Sequence, residues 1–171
     1  MTSSGDTAAS DPDPVTTHRL LFGAVAIGWI ALDQLSKWWV VSSLGDDTID
    51  LVGSLRLRLA INYGASFSLG TGMGMWIGLL ALVVVGALVW QGRSVRTRLG
   101  AVALGLIVGG AVGNVLDRAF RSDEGFFGGG VVDFIDLQWW PVFNIADIGV
   151  VCGAILLIVT MLRAPDDASE G

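Results

Sequence analysis

Hydrophobic residues run almost without interruption over four stretches of the chain, at about residues 20–36, 73–90, 99–116 and 142–162. Each stretch is close to the roughly 20 residues that a helix needs to cross a bilayer. Tryptophans cluster near the ends of these stretches, as expected for side chains at the membrane–water interface; they are Trp38, Trp39, Trp76, Trp90, Trp139 and Trp140. The pattern predicts an α-helical integral membrane protein with four transmembrane helices.

A different period appears in the loop between the first two stretches. Residues 55–59 read Leu-Arg-Leu-Arg-Leu, a strict alternation that predicts a short, half-buried strand with Arg56 and Arg58 on one face. We therefore expect a small β-rich subdomain in this loop, lying on the outer membrane surface.

The direction of the spans follows from the positively charged residues in the short loop at residues 91–98. This loop contains Arg93, Arg96 and Arg98, and short loops rich in arginine face the cytoplasm. Both termini are then also cytoplasmic, and the two longer loops, at about residues 38–72 and 118–141, face outward.

Composition supports one membrane unit with short polar tails. The 171 residues are 53% hydrophobic, with a mean hydropathy of +0.67, which is too apolar for an ordinary soluble domain. Much of the net charge of −6 lies in the tails. We predict disordered, acidic cytoplasmic tails at 1–18 and 164–171 and a membrane domain at 19–163. Basic residues are few and scattered, which argues against nucleic acid binding.

The histidine and cysteine content excludes several kinds of chemistry. His18 is the only histidine, so neither a histidine-based catalytic triad nor a histidine-ligated metal site is expected. Cys152, the only cysteine, lies in an apolar run, where a small buried hydrophobic role is the simplest interpretation. We expect no metal and no other cofactor.

The unusual polar residues collect at one depth once they are placed on this topology. Spans one and three run outward and span four runs inward, which puts a set of polar side chains near the outer ends of the helices or in the outer loops: Asp33, Lys37, Asn62, Asn114, Asp117, Arg118, Asp133, Asn144 and Asp147. No comparable cluster occurs at the cytoplasmic ends. Topology alone therefore indicates a site near the outer face of the membrane.

Simpler interpretations exist for several of these residues. Asp33 and Lys37 could form an interfacial ion pair, and Asn114 and Asn144 could be polar contacts between packed helices. Asp117 could pair with its neighbour at a helix end, and Asp136 could be an ordinary loop acid. Gly109, Gly110 and Gly113 fit close helix packing.

Asp133 and Asp147 are harder to explain in this way. Asp133 lies in an apolar run and Asp147 lies inside the fourth stretch, and a carboxylate in a bilayer costs roughly 2.5–3.5 kcal/mol on insertion scales. Two carboxylates that share a proton can hold and activate a water molecule. Intramembrane aspartates also serve in proton- or ion-coupled transporters, although those need polar groups at several depths. A structural assembly subunit would leave both aspartates unexplained.

Five blocks, in order, resemble those of the lipoprotein signal peptidases (signal peptidase II), which are bacterial membrane aspartic proteases. The blocks are Asp-Gln-Leu-Ser-Lys at 33–37, Asn-Tyr-Gly-Ala-Ser-Phe at 62–67, Gly-Gly-Ala-Val-Gly-Asn-Val-Leu-Asp-Arg at 109–118, Val-Val-Asp-Phe at 131–134 and Phe-Asn-Ile-Ala-Asp at 143–147. The resemblance covers about residues 20–162. Ser66 stands where many members have alanine, and the segment between Asp133 and Asp147 is short for the family.

The resemblance implies an endopeptidase of the bacterial inner membrane, with its active site near the outer face. Its substrates would be diacylglyceryl-modified prolipoproteins, cut just before the lipidated cysteine, and its other partner membrane lipid; we expect a monomer. It implies that Asp133 and Asp147 are catalytic. It also implies substrate-binding or supporting positions at Asp33, Lys37, Asn62, Gly64, Asn114, Asp117, Arg118, Asn144 and Ala146.

Overall fold

The computed structural model of the chain describes residues 14–64, 74–121 and 129–163. It contains four helices and a small sheet in the order α1 (Pro14–Ser43), β1 (Thr48–Val52), β2 (Leu55–Asn62), α2 (Gly74–Gly92), α3 (Arg98–Phe120), β3 (Val131–Asp136) and α4 (Ile145–Leu162). Among the described residues, α1, α3 and α4 are long and apolar enough to cross a membrane. The chain is therefore a mostly helical, multi-pass membrane protein.

Helix α3 is the centre of the bundle, because α1, α2 and α4 all pack against it. Its glycines allow this close approach: a Cβ at Gly109 would crowd the Ala26 carbonyl of α1, and a Cβ at Gly110 would overlap the Ala146 carbonyl of α4. Small residues let membrane helices bring their backbones together. The packing role expected for these glycines fits the observed contacts.

The helix boundaries differ from the predicted spans at several points. Helix α1 begins with Pro14 at its first position, where a missing backbone N–H costs nothing, so residues 14–18 are helical rather than part of the predicted tail. It continues to Ser43, which places Lys37 well inside the helix. Helix α4 begins at Ile145 instead of 142, because Asn144 caps it. The remaining tail residues and Ser66 lie outside the described residues.

The sheet is antiparallel with the order β1-β2-β3. The hairpin of β1 and β2 comes from the loop between α1 and α2, as the alternating pattern predicts. Strand β3 comes from the loop between α3 and α4, where the sequence pattern predicts no strand. Its run of Val131, Val132, Phe134 and Ile135 nevertheless has the β-branched and aromatic character of a strand. The sheet rests on the end of α1 through a buried cluster of Val40, Leu44, Val132 and Phe134.

A bulge in β2 changes which face of the sheet the side chains at the end of this strand occupy. Arg56 pairs with Asp136 and Leu57 with Ile135, but Ala60 pairs with Asp133, so β2 carries one residue more than β3 between these points. Side chains alternate between faces along a strand. The extra residue therefore turns Asn62 to the face of Asp133, while Arg56 stays on the face of Asp136.

Candidate active site

Asp133 lies in β3, almost completely buried at 4% exposure, and each of its carboxylate oxygens accepts one hydrogen bond. Asn144 Nδ2 donates to Oδ1 at 2.7 Å, and Asn62 Nδ2 donates to Oδ2 at 3.1 Å. The Asn62 side chain is held by its own loop, because its Oδ1 accepts from the backbone N–H of Gly64 at 3.0 Å. The bulge in β2 is what gives Asn62 this access.

Asp147 lies in the first turn of α4 and takes part in a capping box with Asn144. The backbone N–H of Asn144 donates to Asp147 Oδ2 at 3.2 Å, and the backbone N–H of Asp147 donates to Asn144 Oδ1 at 3.0 Å. Asn114 Nδ2 of α3 donates to Asp147 Oδ1 at 3.0 Å. The partial positive charge of a helix N-terminus favours a carboxylate at this position.

Asn144 joins the two aspartates, since its side chain contacts Asp133 while its backbone contacts Asp147. Burial, and after it the neighbouring charge of Asp147, raises the pKa of Asp133 to about 6. The direction is the one expected when two carboxyl groups share a poorly solvated site. Asp133 therefore keeps its proton to a higher pH than a free carboxyl group.

A buried cluster of charges lies behind the two aspartates. Lys37 of α1 is fully buried, and its Nζ lies 2.9 Å from Asp33 Oδ2 and 2.8 Å from Asp117 Oδ2. Asp117 also pairs with Arg121 at 2.7 Å and accepts from the backbone N–H of Val132 at 3.1 Å. Full burial excludes an interfacial ion pair for Asp33 and Lys37. Asp117 pairs with Lys37 and Arg121 instead of its neighbour Arg118.

The first turn of α4 is fixed from α1. Asp33 Oδ1 accepts from the backbone N–H of Ala146 at 2.9 Å, and the Trp29 indole donates to the carbonyl oxygen of Ile145 at 3.0 Å. Trp29 was missed in the sequence analysis because an apolar helix gives no signal for one indole contact. These bonds hold the two residues that directly precede Asp147, so they fix where its side chain begins.

Arg118 and Gly64 complete the group of residues selected from the sequence. The Arg118 guanidinium is buried, and its Nη2 donates to the carbonyl oxygen of Gly64 at 2.7 Å. This bond ties the end of α3 to the segment that follows β2. Every residue selected from the sequence for the site thus lies in, or directly beside, one connected polar group.

Asp136 lies outside this group and is not an ordinary loop acid. It is buried at 3% exposure, and its Oδ2 accepts from Arg56 Nε at 2.8 Å and Arg58 Nε at 3.1 Å. Burial opposes ionisation here, but hydrogen bonds from the Gln138 backbone and the two arginines hold the pKa of Asp136 below its usual range. Asp136 is therefore a structural anion that fastens β2 to β3.

A cavity of about 630 Å³ opens over the two aspartates. Its polar end contains Asn62, Asn114, Arg118, Asp133 and Asp147. The rest of its wall is mainly apolar and comes from α2, α3, α4 and the segment before α4, including Ala81, Ala111, Val142, Phe143, Ile148 and Val151. Such a cavity can receive a ligand that has a polar reacting group and an apolar body.

The arrangement is suited to water-based hydrolysis. Two carboxyl groups, one with a raised pKa and one at a helix N-terminus, face a common cavity. Pairs of carboxyl groups held in different environments can act as acid and base in one reaction. Within the described ranges no group of three histidine, cysteine, aspartate or glutamate side chains is placed to hold a metal ion.

Comparison with known proteins gives consistent matches over most of the chain. The family described as Signal peptidase (SPase) II matches residues 25–163. A lipoprotein signal peptidase from Rhodococcus jostii (strain RHA1) is 44% identical over 95% of this chain and 84% of the relative. One from Mycobacterium avium (strain 104) is 42% identical over 98% of this chain and 91% of the relative.

A solved structure shows the same fold. A bacterial membrane enzyme determined by the in meso method at 2.3 Å resolution superposes with a TM-score of 0.75 and 26% identity. The match covers 91% of this chain and 92% of the other.

Proposed function

The chain belongs to the signal peptidase II family and removes signal peptides from prolipoproteins, and on that premise we propose that Asp133 and Asp147 are its catalytic pair. The observation that carries the proposal is the hydrogen bonding of both carboxylates to Asn144 at the polar end of one cavity. The family assignment gives no support to a transporter.

The environments of the two aspartates suggest which one carries the shared proton at rest. Asp133 is buried and holds its proton up to about pH 6, whereas Asp147 accepts N–H groups at a helix N-terminus. We assign the resting charge to Asp147 and the resting proton to Asp133, in a pair that titrates as one unit.

Peptide hydrolysis then follows from these protonation states. Asp147 takes a proton from a water molecule, and the oxygen of that water attacks the scissile carbonyl carbon. Asp133 donates its proton to the carbonyl oxygen, where negative charge would otherwise develop. When the C–N bond breaks, the proton held by Asp147 goes to the leaving amine, and the proton of the tetrahedral hydroxyl returns to Asp133.

The cavity indicates how a lipidated substrate is placed. Asn62 and Asn114 line the cavity beside the carboxylates and can hydrogen-bond a peptide that has been unwound from its helix. Asn144 is fully buried behind them and supports the two carboxylates. The apolar wall formed with α2 and α4 can receive the acyl chains of a diacylglyceryl group from the lipid side. All these contacts come from one chain, so we propose that a monomer is sufficient.

We also propose that α2 crosses the membrane, which together with α1, α3 and α4 makes four spans. Its 19 residues are almost entirely apolar, and at 1.5 Å per residue they extend about 28 Å, against a bilayer core of about 30 Å. With the arginine-rich loop between α2 and α3 on the cytoplasmic side, both termini are cytoplasmic. The sheet and the catalytic pair then lie near the outer face of the bacterial inner membrane.

This orientation predicts the accessibility of single cysteines. In a Cys152→Ala background, Asp50→Cys in β1 should react with a membrane-impermeant maleimide in intact spheroplasts. Arg96→Cys, in the loop between α2 and α3, should react only after the membrane is permeabilised. The reverse pattern would show that the proposed orientation is wrong.

The function is tested with purified protein in detergent. A diacylglyceryl-modified prolipoprotein should be cut immediately before its lipidated cysteine, as seen by mass spectrometry of both products. The same precursor without the lipid serves as the matched substrate and should remain uncut, because it lacks the apolar group that the cavity wall receives. Cleavage at another bond, or equal cleavage of both precursors, would contradict the proposed substrate class.

A further inference from the structure

Lys37 does not line the cavity, but its ammonium is one hydrogen bond away from Asn114, which contacts Asp147. Its buried ammonium has three hydrogens and three acceptors: Asp33 Oδ2 at 2.9 Å, Asp117 Oδ2 at 2.8 Å and Asn114 Oδ1 at 3.0 Å. We propose that Lys37 is a positioning residue that acts through Asn114, fixing the orientation of its amide so that it donates to Asp147. The inference rests on the proposed catalytic pair.

The amide of Asn114 has two ends with opposite roles. Its Oδ1 accepts from Lys37, and its Nδ2 donates to Asp147 Oδ1 at 3.0 Å. A half turn of the amide would exchange these atoms and place an oxygen against the Asp147 carboxylate. An ammonium cannot accept a hydrogen bond, so Lys37 forbids that half turn. The orientation that stabilises a charged Asp147 is thereby selected.

Asn144 is not sufficient by itself to fix the orientation of the Asn114 amide. Its Nδ2 also reaches Asn114 Oδ1, at 3.1 Å, but the same nitrogen lies 2.7 Å from Asp133 Oδ1 and 3.3 Å from the carbonyl oxygen of Val132. An amide nitrogen has only two hydrogens for these three acceptors. The shortest of the three contacts takes one hydrogen to Asp133, and the other hydrogen is divided between Asn114 and Val132. Lys37 has one hydrogen for each of its three acceptors, so it is the donor that can hold Asn114 fully.

Several charged groups lie around Asp147, and their electrostatic influence must be distinguished from the effect of the hydrogen bond between Lys37 and Asn114. They are Asp133 on β3, Arg118 and Asp117 on α3, and Asp33 and Lys37 on α1. Simple removal of Lys37 would change the electric field at Asp147 and leave two buried carboxylates short of a partner. The test therefore removes the negative charge of Asp33 from the reference protein and compares two position-37 variants that carry the same charge.

The experiment compares two variants in an Asp33→Asn background, Lys37→Met and Lys37→Gln. Both are neutral at position 37, and Asp117 keeps its pair with Arg121 in both. Of these two side chains at position 37, only glutamine can donate to Asn114 Oδ1. We expect the methionine variant to lose about 100-fold in kcat relative to Asp33→Asn, with KM nearly unchanged, as for a small misplacement of a catalytic group. The acid limb of its kcat/KM profile should move to higher pH, and glutamine should largely restore both.

Other outcomes decide against the inference. If the methionine and glutamine variants shift the acid limb equally, Lys37 acts through its charge and the inference is wrong. It is also wrong if neither variant differs from Asp33→Asn per folded molecule. Should the methionine variant fail to fold, Asn114→Leu removes the donor to Asp147 while leaving Lys37, Asp33 and Asp117 in place. That variant must then show the same displaced limb, and an unchanged limb overturns the inference.

Failure of this inference can be distinguished from failure of the catalytic assignment. If Asp133→Asn or Asp147→Asn cleaves normally, the proposed pair itself is wrong. If both of those variants are inactive while the position-37 variants keep the reference pH profile, only the role of Lys37 is refuted.

Discussion

Replacing either Asp133 or Asp147 by asparagine should lower the rate of signal-peptide cleavage by about 10,000-fold, the size of loss seen when one carboxylate of a catalytic group is removed. Asparagine keeps the shape of the side chain but cannot hold or transfer the shared proton. The loss should appear in kcat, because binding in the cavity depends mainly on contacts that both variants keep. Single-turnover cleavage of a lipidated precursor in detergent measures it.

Asp136→Asn is the matched control for this experiment. Asp136 lies on the same strand as Asp133 and is equally buried, but it faces Arg56 and Arg58. Its substitution should lower thermal stability and leave cleavage within about tenfold of the unmodified protein. Wild-type-like cleavage by either of the other two variants would exclude that residue from the catalytic pair.

Gly110→Ala should have the second-largest effect, although it adds only one methyl group. The new Cβ would overlap the carbonyl oxygen of Ala146, so α4 must move away from α3. Overpacking of this kind costs about 1–3 kcal/mol. Because Asp147 follows Ala146 directly, the shift also displaces this member of the proposed catalytic pair, and a displacement of about 1 Å can lower kcat by about 100-fold.

Gly86→Ala provides the comparison for Gly110→Ala. Gly86 lies inside helix α2, and a Cβ there meets none of the described atoms within 4 Å. The melting temperature and cleavage rate of this variant should equal or slightly exceed those of the unmodified protein, since alanine favours helix more than glycine does. Equal behaviour of the two variants would show that the contact between α3 and α4 at Gly110 is not tight.

The sequence predicted contacts best for residues that lie at the same depth in the membrane. Span lengths and the arginine loop placed Asp33, Lys37, Asn114 and Asp147 at one level, and the structure joins them through direct hydrogen bonds. The catalytic and supporting roles of these residues stay predictions. Motif resemblance supplied the substrate, which neither charge nor spacing could indicate.

Two features were beyond the reach of pattern analysis for physical reasons. Strand β3 forms by pairing with a strand about 70 residues earlier in the chain, and a short apolar run does not by itself distinguish a strand from a helix end. The contact between Trp29 and Ile145 depends on how α1 and α4 are rotated against each other. Periodicity in helices that are apolar on all sides does not define that rotation.

Because of the extra residue in β2, the hydrogen bond from Asn62 to Asp133 depends on the length of the strand. Arg56 and Asn62 are six positions apart, so in a regular strand both would point to the same side. One added residue lets a single strand form ion pairs with Asp136 on one face and donate a hydrogen bond to Asp133 on the other. A shortening of β2 by one residue would turn Asn62 away from Asp133 while every side chain of the site remained present. The hydrogen bonding of Asp133 thus depends partly on the number of residues in β2.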